Sequence, residues 1–181
     1  MKLRATAAAR FFTQIYVLCI IGGTLPSFAT AKPSDIEQMV SRLADGDGDY
    51  ASTLETFVSG LEHFNQGRYR KAMALLSSPG LLTTNNADLA VYFNAESCFH
   101  AGAFAKAEAI LTDFSGRFPT SKWRDFARAR HGDALRAMGR PKLALVVFRS
   151  LLESRPDYPH PGALKMSIGE TLDESGQEQL A

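Results

Sequence analysis

Three aspartates at alternate positions, Asp45, Asp47 and Asp49, are the first candidates for chemistry in this chain of 181 residues. Carboxylates with this spacing supply the first ligands of an EF-hand calcium loop. That loop also needs a glycine at its sixth position and a glutamate at its last, where this chain has Tyr50 and Thr56. The sequence therefore favours a solvated acidic loop over a calcium site.

The histidines and the cysteine of the central region do not form a catalytic or metal-binding pattern. His63, His100, His131 and His160 lack the spacing of metal ligands, and the sequence contains none of the short motifs of hydrolases or nucleotide-binding loops. Cys98 is predicted to lie in a helix as a buried, small hydrophobic residue. We therefore predict a protein that is not an enzyme and that carries no metal ion or cofactor.

The charge balance gives no reason to expect a nucleic-acid partner. The chain has 20 Lys and Arg against 19 Asp and Glu, a formal net charge of +1, and its 45% of hydrophobic residues is typical of a globular protein. One basic cluster is interrupted by Asp125 and is predicted to be a solvated helix face. It comprises Arg117, Lys122, Arg124, Arg128 and Arg130.

Residues 1–31 have the composition of a secretory signal peptide. A basic start (Lys2, Arg4 and Arg10) precedes an apolar run over residues 11–21 and a small-residue cleavage site that ends at Ala31. The apolar run is too short for a membrane-spanning helix, which needs roughly 20 residues. We therefore predict export, cleavage after Ala31 and no stable membrane span afterwards.

Residues 32–52 are predicted to form a short capping helix followed by the acidic loop. Ser34 and Glu37 make a capping box at the start of this helix. Apolar residues then recur with a helical period along one face. They are Ile36, Met39, Val40 and Leu43.

The rest of the chain repeats around four glycines. Gly67, Gly102, Gly139 and Gly176 are separated by 35, 37 and 37 residues. A small residue precedes each glycine by seven positions, an alanine follows each by five, and a proline follows two of them by seventeen. These residues are Gly60, Ala95, Gly132 and Gly169, then Ala72, Ala107, Ala144 and Ala181, then Pro119 and Pro156.

This periodicity predicts stacked pairs of antiparallel helices. The glycine permits a tight left-handed turn between two helices, the small residues permit close helix packing, and the proline ends each pair. One pair cannot bury its own apolar face, so the pairs must stack. We place the repeats at about residues 53–87, 88–124 and 125–161, with a partial repeat at 162–181.

The pattern resembles the tetratricopeptide repeat (TPR) family, whose unit is about 34 residues, over residues 54–181. The resemblance implies an all-α TPR solenoid of about three and a half repeats. It is similar in particular to bacterial periplasmic TPR proteins of the Tol–Pal and outer-membrane assembly type. The joint Phe118-Pro119-Thr120-Ser121 is like one that is frequent in those arrays.

The resemblance also implies a partner-binding groove, because the first helices of such repeats line a concave surface. Carried over position by position, the groove residues are Tyr92, Glu96, Phe99, Phe126, Asp133, Arg136, Met166 and Glu170. The alternative is that several of these aromatic residues belong to the core or lie beneath the capping helix. Phe57, Leu61 and Phe64 are expected in the core or beneath that helix, because they are apolar.

These observations favour a non-enzymatic, exported scaffold that binds a protein or peptide segment of the cell envelope, in the periplasm of a Gram-negative bacterium. A second interpretation is the helical scaffold portion of a lytic transglycosylase-like protein that lacks its catalytic domain, since such arrays look similar. A third is self-association through the incomplete last repeat. Whether Ala181 is a natural end or a truncation stays open.

Overall fold

The computed structural model of the protein describes residues 48–176. The predicted signal peptide, its cleavage site after Ala31, the capping helix and the start of the acidic loop at Asp45 and Asp47 lie outside the described residues. The chain divides into the units Met1–Ser52 and Thr53–Ala181, and the second unit is described here by itself.

The described residues fold into helices joined by turns, without a strand, so the prediction of an all-α fold is confirmed for this part of the chain. The α-helices in chain order are α1 (Gly48–Asn65), α2 (Tyr69–Leu76), α3 (Ala87–His100), α4 (Phe104–Thr112), α5 (Phe114–Arg117), α6 (Arg124–Ala137), α7 (Pro141–Ser154) and α8 (Pro161–Glu174). A 3₁₀ helix (Pro79–Thr83) lies between α2 and α3.

The first helix begins earlier than predicted. Gly48 and Asp49 were assigned to the acidic loop, and this assignment is wrong, because α1 begins at Gly48. An aspartate in the first turn of a helix interacts favourably with the helix dipole. The loop prediction rested on the mismatch with the EF-hand pattern and did not consider this favourable position.

A glycine in the left-handed conformation follows each of the helices α1, α3, α6 and α8. Gly67, Gly102, Gly139 and Gly176 have φ angles of 70°, 76°, 70° and 68°. Immediately after the second of these turns, the amide of Ala103 donates to the carbonyl oxygen of Cys98 at 2.8 Å. This bond reverses the chain within a few residues and brings α4 back against α3, with which it is in contact.

Small residues allow the paired helices to approach closely. A Cβ atom at Gly132 would lie 2.2 Å from Cε1 of Phe148, and one at Gly60 would lie 2.7 Å from the side chain of Leu76. At the corresponding position in α8, a Cβ at Gly169 would meet nothing within 4 Å. The alanines at the other repeat positions are fully buried; they are Ala72, Ala95, Ala107 and Ala144.

Consecutive helices contact one another along the chain. Beyond the pairs α3–α4 and α6–α7, the second helix of each pair packs on the next helix in the contacts α2–α3, α4–α6 and α7–α8. The helices α3, α6 and α8 also touch one another in sequence, as α3–α6 and α6–α8. Pro119 and Pro156 follow the ends of α5 and α7, where a proline prevents the helix from continuing.

Candidate partner-binding site

A half-open cavity of about 140 Å³ lies where α3, α6 and α8 come together. Its lining comes from four helices and from the segment before α8. The lining residues are Tyr92, Glu96, Phe126, Ala129, Arg130, Asp133, Phe148, Tyr158, Ala163, Leu164 and Ser167. The cavity is well below the roughly 300–1,000 Å³ of a site for a drug-sized ligand, so it suits a single side chain.

Helical spacing explains which side chains reach the cavity. Tyr92 and Glu96 are four residues apart on α3 and therefore share a face. On α6 the lining residues follow the pattern i, i+3, i+4 and i+7, which is one helix face. They are Phe126, Ala129, Arg130 and Asp133.

Arg130 joins the charged residues of the cavity. Its Nε donates to Oε1 of Glu96 at 2.7 Å, and one of its terminal nitrogens donates to Oδ2 of Asp133 at 3.1 Å. The guanidinium also lies over the ring of Phe99, 4.5 Å from its centroid. One cation therefore ties α3 to α6 and bonds two carboxylates of the cavity.

Glu96 is held ionised in a buried position. Glu96 is only 5% exposed, and burial by itself raises the pKa of a carboxylic acid. The hydrogen bond with His100 and the charge of Arg130 outweigh burial and leave the pKa of Glu96 below its ordinary value. His100 lies four residues on, with its Nε2 at 3.5 Å from Oε2 of Glu96.

Asp133 differs from Glu96 in its environment. Burial raises the pKa of Asp133, and the opposing charges of Arg130 and Arg136 do not compensate for it. Burial also raises the pKa of the hydroxyl groups of Tyr92 and Tyr158, which line the same cavity. The tyrosines are therefore neutral hydrogen-bonding groups at physiological pH.

A row of aromatic rings in mutual contact forms one wall of the site. Tyr92 stacks on Trp123 at a centroid distance of 5.1 Å, and Trp123 lies 5.9 Å from Phe126. Phe126 in turn lies 5.8 Å from Tyr158. Since Trp123 is 4% exposed, this row is anchored in the core and presents rigid rings to the cavity.

The structure brings half of the predicted groove residues together. Tyr92, Glu96, Phe126 and Asp133 line the cavity, while the remaining four lie elsewhere. Phe99 packs at 5.3 Å against Phe104 and beneath the Arg130 guanidinium. The other residues outside the cavity are Arg136, Met166 and Glu170.

Arg136 and Glu170 connect helices and do not line the cavity. The guanidinium of Arg136 bonds the carboxylate of Glu170 and lies 3.6 Å from that of Glu174, which ties α6 to α8. Met166 is 64% exposed on the outer part of α8. None of these three residues contributes to the cavity wall.

Arg130 was predicted to belong to a solvated basic face, and this prediction is wrong. Its guanidinium is partly buried and bonded to Glu96 and Asp133. One signal in the sequence indicates this role: Arg130 lies 34 residues after Glu96, which is close to one repeat, and three before Asp133. Tyr158 and Ser167 also line the cavity and were not predicted.

Two further members of the basic cluster, Arg124 and Arg128, lie close to acids and hydroxyls. Oδ1 of Asp125 lies 3.5 Å from Nε of Arg124 and 3.9 Å from a terminal nitrogen of Arg128. Its Oδ2 lies 2.6 Å from a terminal nitrogen of Arg155. Arg128 also donates to Ser154 at 2.9 Å. These bonds link α6 to the end of α7.

The predictions for buried residues in α1 and α3 are confirmed. Cys98 is buried in α3 as a free thiol, and burial raises its pKa. Phe57 and Leu61 are buried in α1. Phe64 is half-buried and packs edge-on against Phe93 at 5.1 Å.

Residues 48–176 contain neither a cluster of metal ligands nor a helix suited to crossing a membrane. Within them, no group of three or more His, Cys, Asp or Glu side chains is arranged to hold a metal ion. Among the same residues, no helix is both long enough and apolar enough to cross a membrane.

No protein-family model matches the chain, and no curated protein is significantly similar to it. The functional inference therefore comes from the cavity and the helices around it. The lining offers aromatic rings, hydroxyl groups and a network of fixed charges. These groups are suited to holding one side chain of a ligand.

Proposed function

We propose that this protein is a non-enzymatic, exported TPR scaffold that binds a segment of another protein in the periplasm of a Gram-negative bacterium. The observation that carries the proposal is the cavity between α3, α6 and α8. Side chains of three successive first helices of the proposed repeats meet there. A partner segment that crosses these helices would insert one anchoring side chain into it.

The glycine turns support the TPR part of the proposal. Their φ angles are nearly equal at four positions spaced by about one repeat. Gly60 and Gly132 occupy equivalent positions and both allow a close helix approach. Similar local geometry at equivalent positions is typical of a repeat array.

An affinity capture experiment from envelope extract tests the binding function. The bait is the full chain with a terminal affinity tag, and the test variant is Ala163→Phe. Ala163 is exposed and lines the cavity, so a phenyl group obstructs the site without removing a charge. We expect an identified envelope protein to be captured by the wild type and lost with this variant.

The matched control is Ala105→Phe, which places the same side chain at an exposed position of α4. This variant is expected to capture the partner as well as the wild type does. Equal capture by Ala163→Phe would move the binding surface away from the cavity. Capture of no envelope protein by the wild type would contradict the function itself.

A further inference from the structure

The charges that line the cavity do not balance. Glu96 and Asp133 contribute two carboxylates, and Arg130 contributes one guanidinium that bonds both of them. The lining therefore has an excess of one negative charge. Next to the cavity, Arg136 faces two carboxylates of its own, Glu170 and Glu174, and does not supply the missing positive charge.

Asp133 is the carboxylate with bonding capacity to spare. Its Oδ2 accepts from Arg130, while its Oδ1 accepts no hydrogen bond within the described residues. The side chain is 22% exposed, so a ligand can reach it. Burial raises the pKa of Asp133, which is what a carboxylate shows when the surrounding positive charge is insufficient.

The aromatic wall favours the same kind of ligand. The rings of Tyr92, Phe126 and Tyr158 line the cavity, and ring faces attract cations. An anion is disfavoured, because Arg130 is already bonded to two carboxylates. The volume of about 140 Å³ suits one side chain and not a cofactor.

We infer that the cavity is a subsite for one cationic side chain, a lysine or an arginine, of the bound partner segment. The aliphatic stem lies along the Tyr92 and Phe126 rings, and the charged end meets the free oxygen of Asp133. Arg130, itself bonded to Glu96, holds the carboxylate of Asp133 in place. This inference rests on the proposed function and adds the chemistry of the anchoring residue.

The probes are capped pentapeptides of alanine with a single central residue: lysine, arginine, norleucine or glutamate. Norleucine has the same aliphatic stem as lysine without the charge. Each peptide is titrated into the full chain, and the amide resonances of Ala129, Ala163 and Ser167 are followed by NMR. We expect the lysine and arginine peptides to bind at least tenfold more tightly than the norleucine and glutamate peptides.

Three variants locate the interaction. Asp133→Asn keeps the shape of the side chain and is expected to weaken the lysine peptide at least tenfold, while Glu153→Gln, an exposed carboxylate on α7, leaves it unchanged. Ala163→Phe blocks the cavity and is expected to abolish the resonance shifts. Equal binding of lysine and norleucine peptides, or unchanged binding by Asp133→Asn, would overturn the inference.

The result is separable from that of the capture experiment. Capture of a partner that Ala163→Phe loses, combined with equal binding of lysine and norleucine peptides, would leave the scaffold function standing and refute the cationic subsite. If circular dichroism shows that Asp133→Asn does not fold, the comparison of the four peptides on the wild type still decides the question.

Discussion

Glu96 is a buried acid whose carboxylate interacts with two partners. Its two oxygens face different partners, Arg130 at 2.7 Å and His100 at 3.5 Å. A buried carboxylate is costly unless both of its oxygens are engaged. The residue is therefore as much a structural element between α3 and α6 as a part of the cavity wall.

Glu96→Gln is predicted to destabilise the protein by about 3 kcal/mol at pH 7, because it removes one charge of a largely buried pair. The figure is at the low end for such pairs, since Arg130 keeps Asp133 as a partner. Urea unfolding of the wild type and the variant measures the difference. A loss below about 1 kcal/mol, the typical value of an exposed pair, would contradict the prediction.

The difference in stability between the wild type and Glu96→Gln is predicted to depend on pH. The pKa of Glu96 is lower in the folded state than its ordinary value of 4.5. Its contribution to stability is therefore present above that value and is lost as the pH falls through the folded-state pKa. The stability difference between wild type and Glu96→Gln should therefore shrink as the pH falls below 4.5, whereas a constant difference would rule out the charge as its cause.

Gly132 and Gly169 occupy equivalent positions in α6 and α8 but have opposite surroundings. Gly132→Ala is predicted to cost about 2–3 kcal/mol, because its Cβ would collide with the fully buried Phe148. Gly169→Ala meets open space and should stabilise α8 by about 0.5–1 kcal/mol. Thermal unfolding of both variants checks this, and equal effects would show that the close approach has no energetic weight.

At the scale of elements, the glycine turns determine how α3 meets α4 and how α6 meets α7. Gly102 is suited to isolate this effect, because a Cβ there would meet nothing within 4 Å and its φ is +76°. Any cost of substitution is therefore a cost of the backbone conformation alone.

Gly102→Ala is predicted to destabilise the protein by about 1–2 kcal/mol, and Gly102→Asn by less, because asparagine tolerates the left-handed conformation better than alanine does. Chemical denaturation of the two variants and the wild type measures the order. If alanine were as stable as asparagine, the left-handed turn would not be a constraint on this fold.

The periodic glycines made the helix pairs α3–α4 and α6–α7 predictable, because a turn that requires glycine leaves a visible mark in the sequence. Other boundaries leave no such mark. Asp113 separates α4 from α5, and the fully buried Phe114 begins α5, but none of the repeat residues marks this boundary. The start of α1 at Gly48 was missed because helix starts depend on later packing as well as on local residues.

The groove residues were predicted from the TPR resemblance, and half of them line the cavity. Tyr92, Glu96, Phe126 and Asp133 follow from repeat offsets on α3 and α6. Arg130 does not, because its burial depends on a carboxylate from another helix. Tyr158 comes from the segment between α7 and α8, whose path no periodic pattern describes.

At the scale of the whole described unit, stability comes from contacts between neighbours along the chain. The central helix α3 touches α2, α4, α6 and the 3₁₀ helix, whereas the contacts of α8 are with α6 and α7. In such an arrangement the free energy of local opening depends on how many neighbours must be lost. The centre of the unit should therefore open less often than α8.

Hydrogen exchange is predicted to follow this gradient. Amides in α3 should be protected at least tenfold more strongly than amides in α8, because α3 is packed against more neighbours. Exchange followed residue by residue by NMR makes the comparison. Uniform protection would indicate a single cooperative unit without a weaker end.

Trp123 is the only tryptophan of the chain, and it is buried in the aromatic row beside Tyr92. Its indole is consequently a built-in optical probe of the cavity wall. Fluorescence excited selectively at the indole reports on one place in the molecule. A ligand that displaces Tyr92 is expected to change the intensity of this emission. A denaturant that separates α3 from α6 is expected to shift the emission to longer wavelength. The fluorescence of Trp123 can therefore report whether the cavity is occupied and whether α3 and α6 remain packed together, without an attached dye.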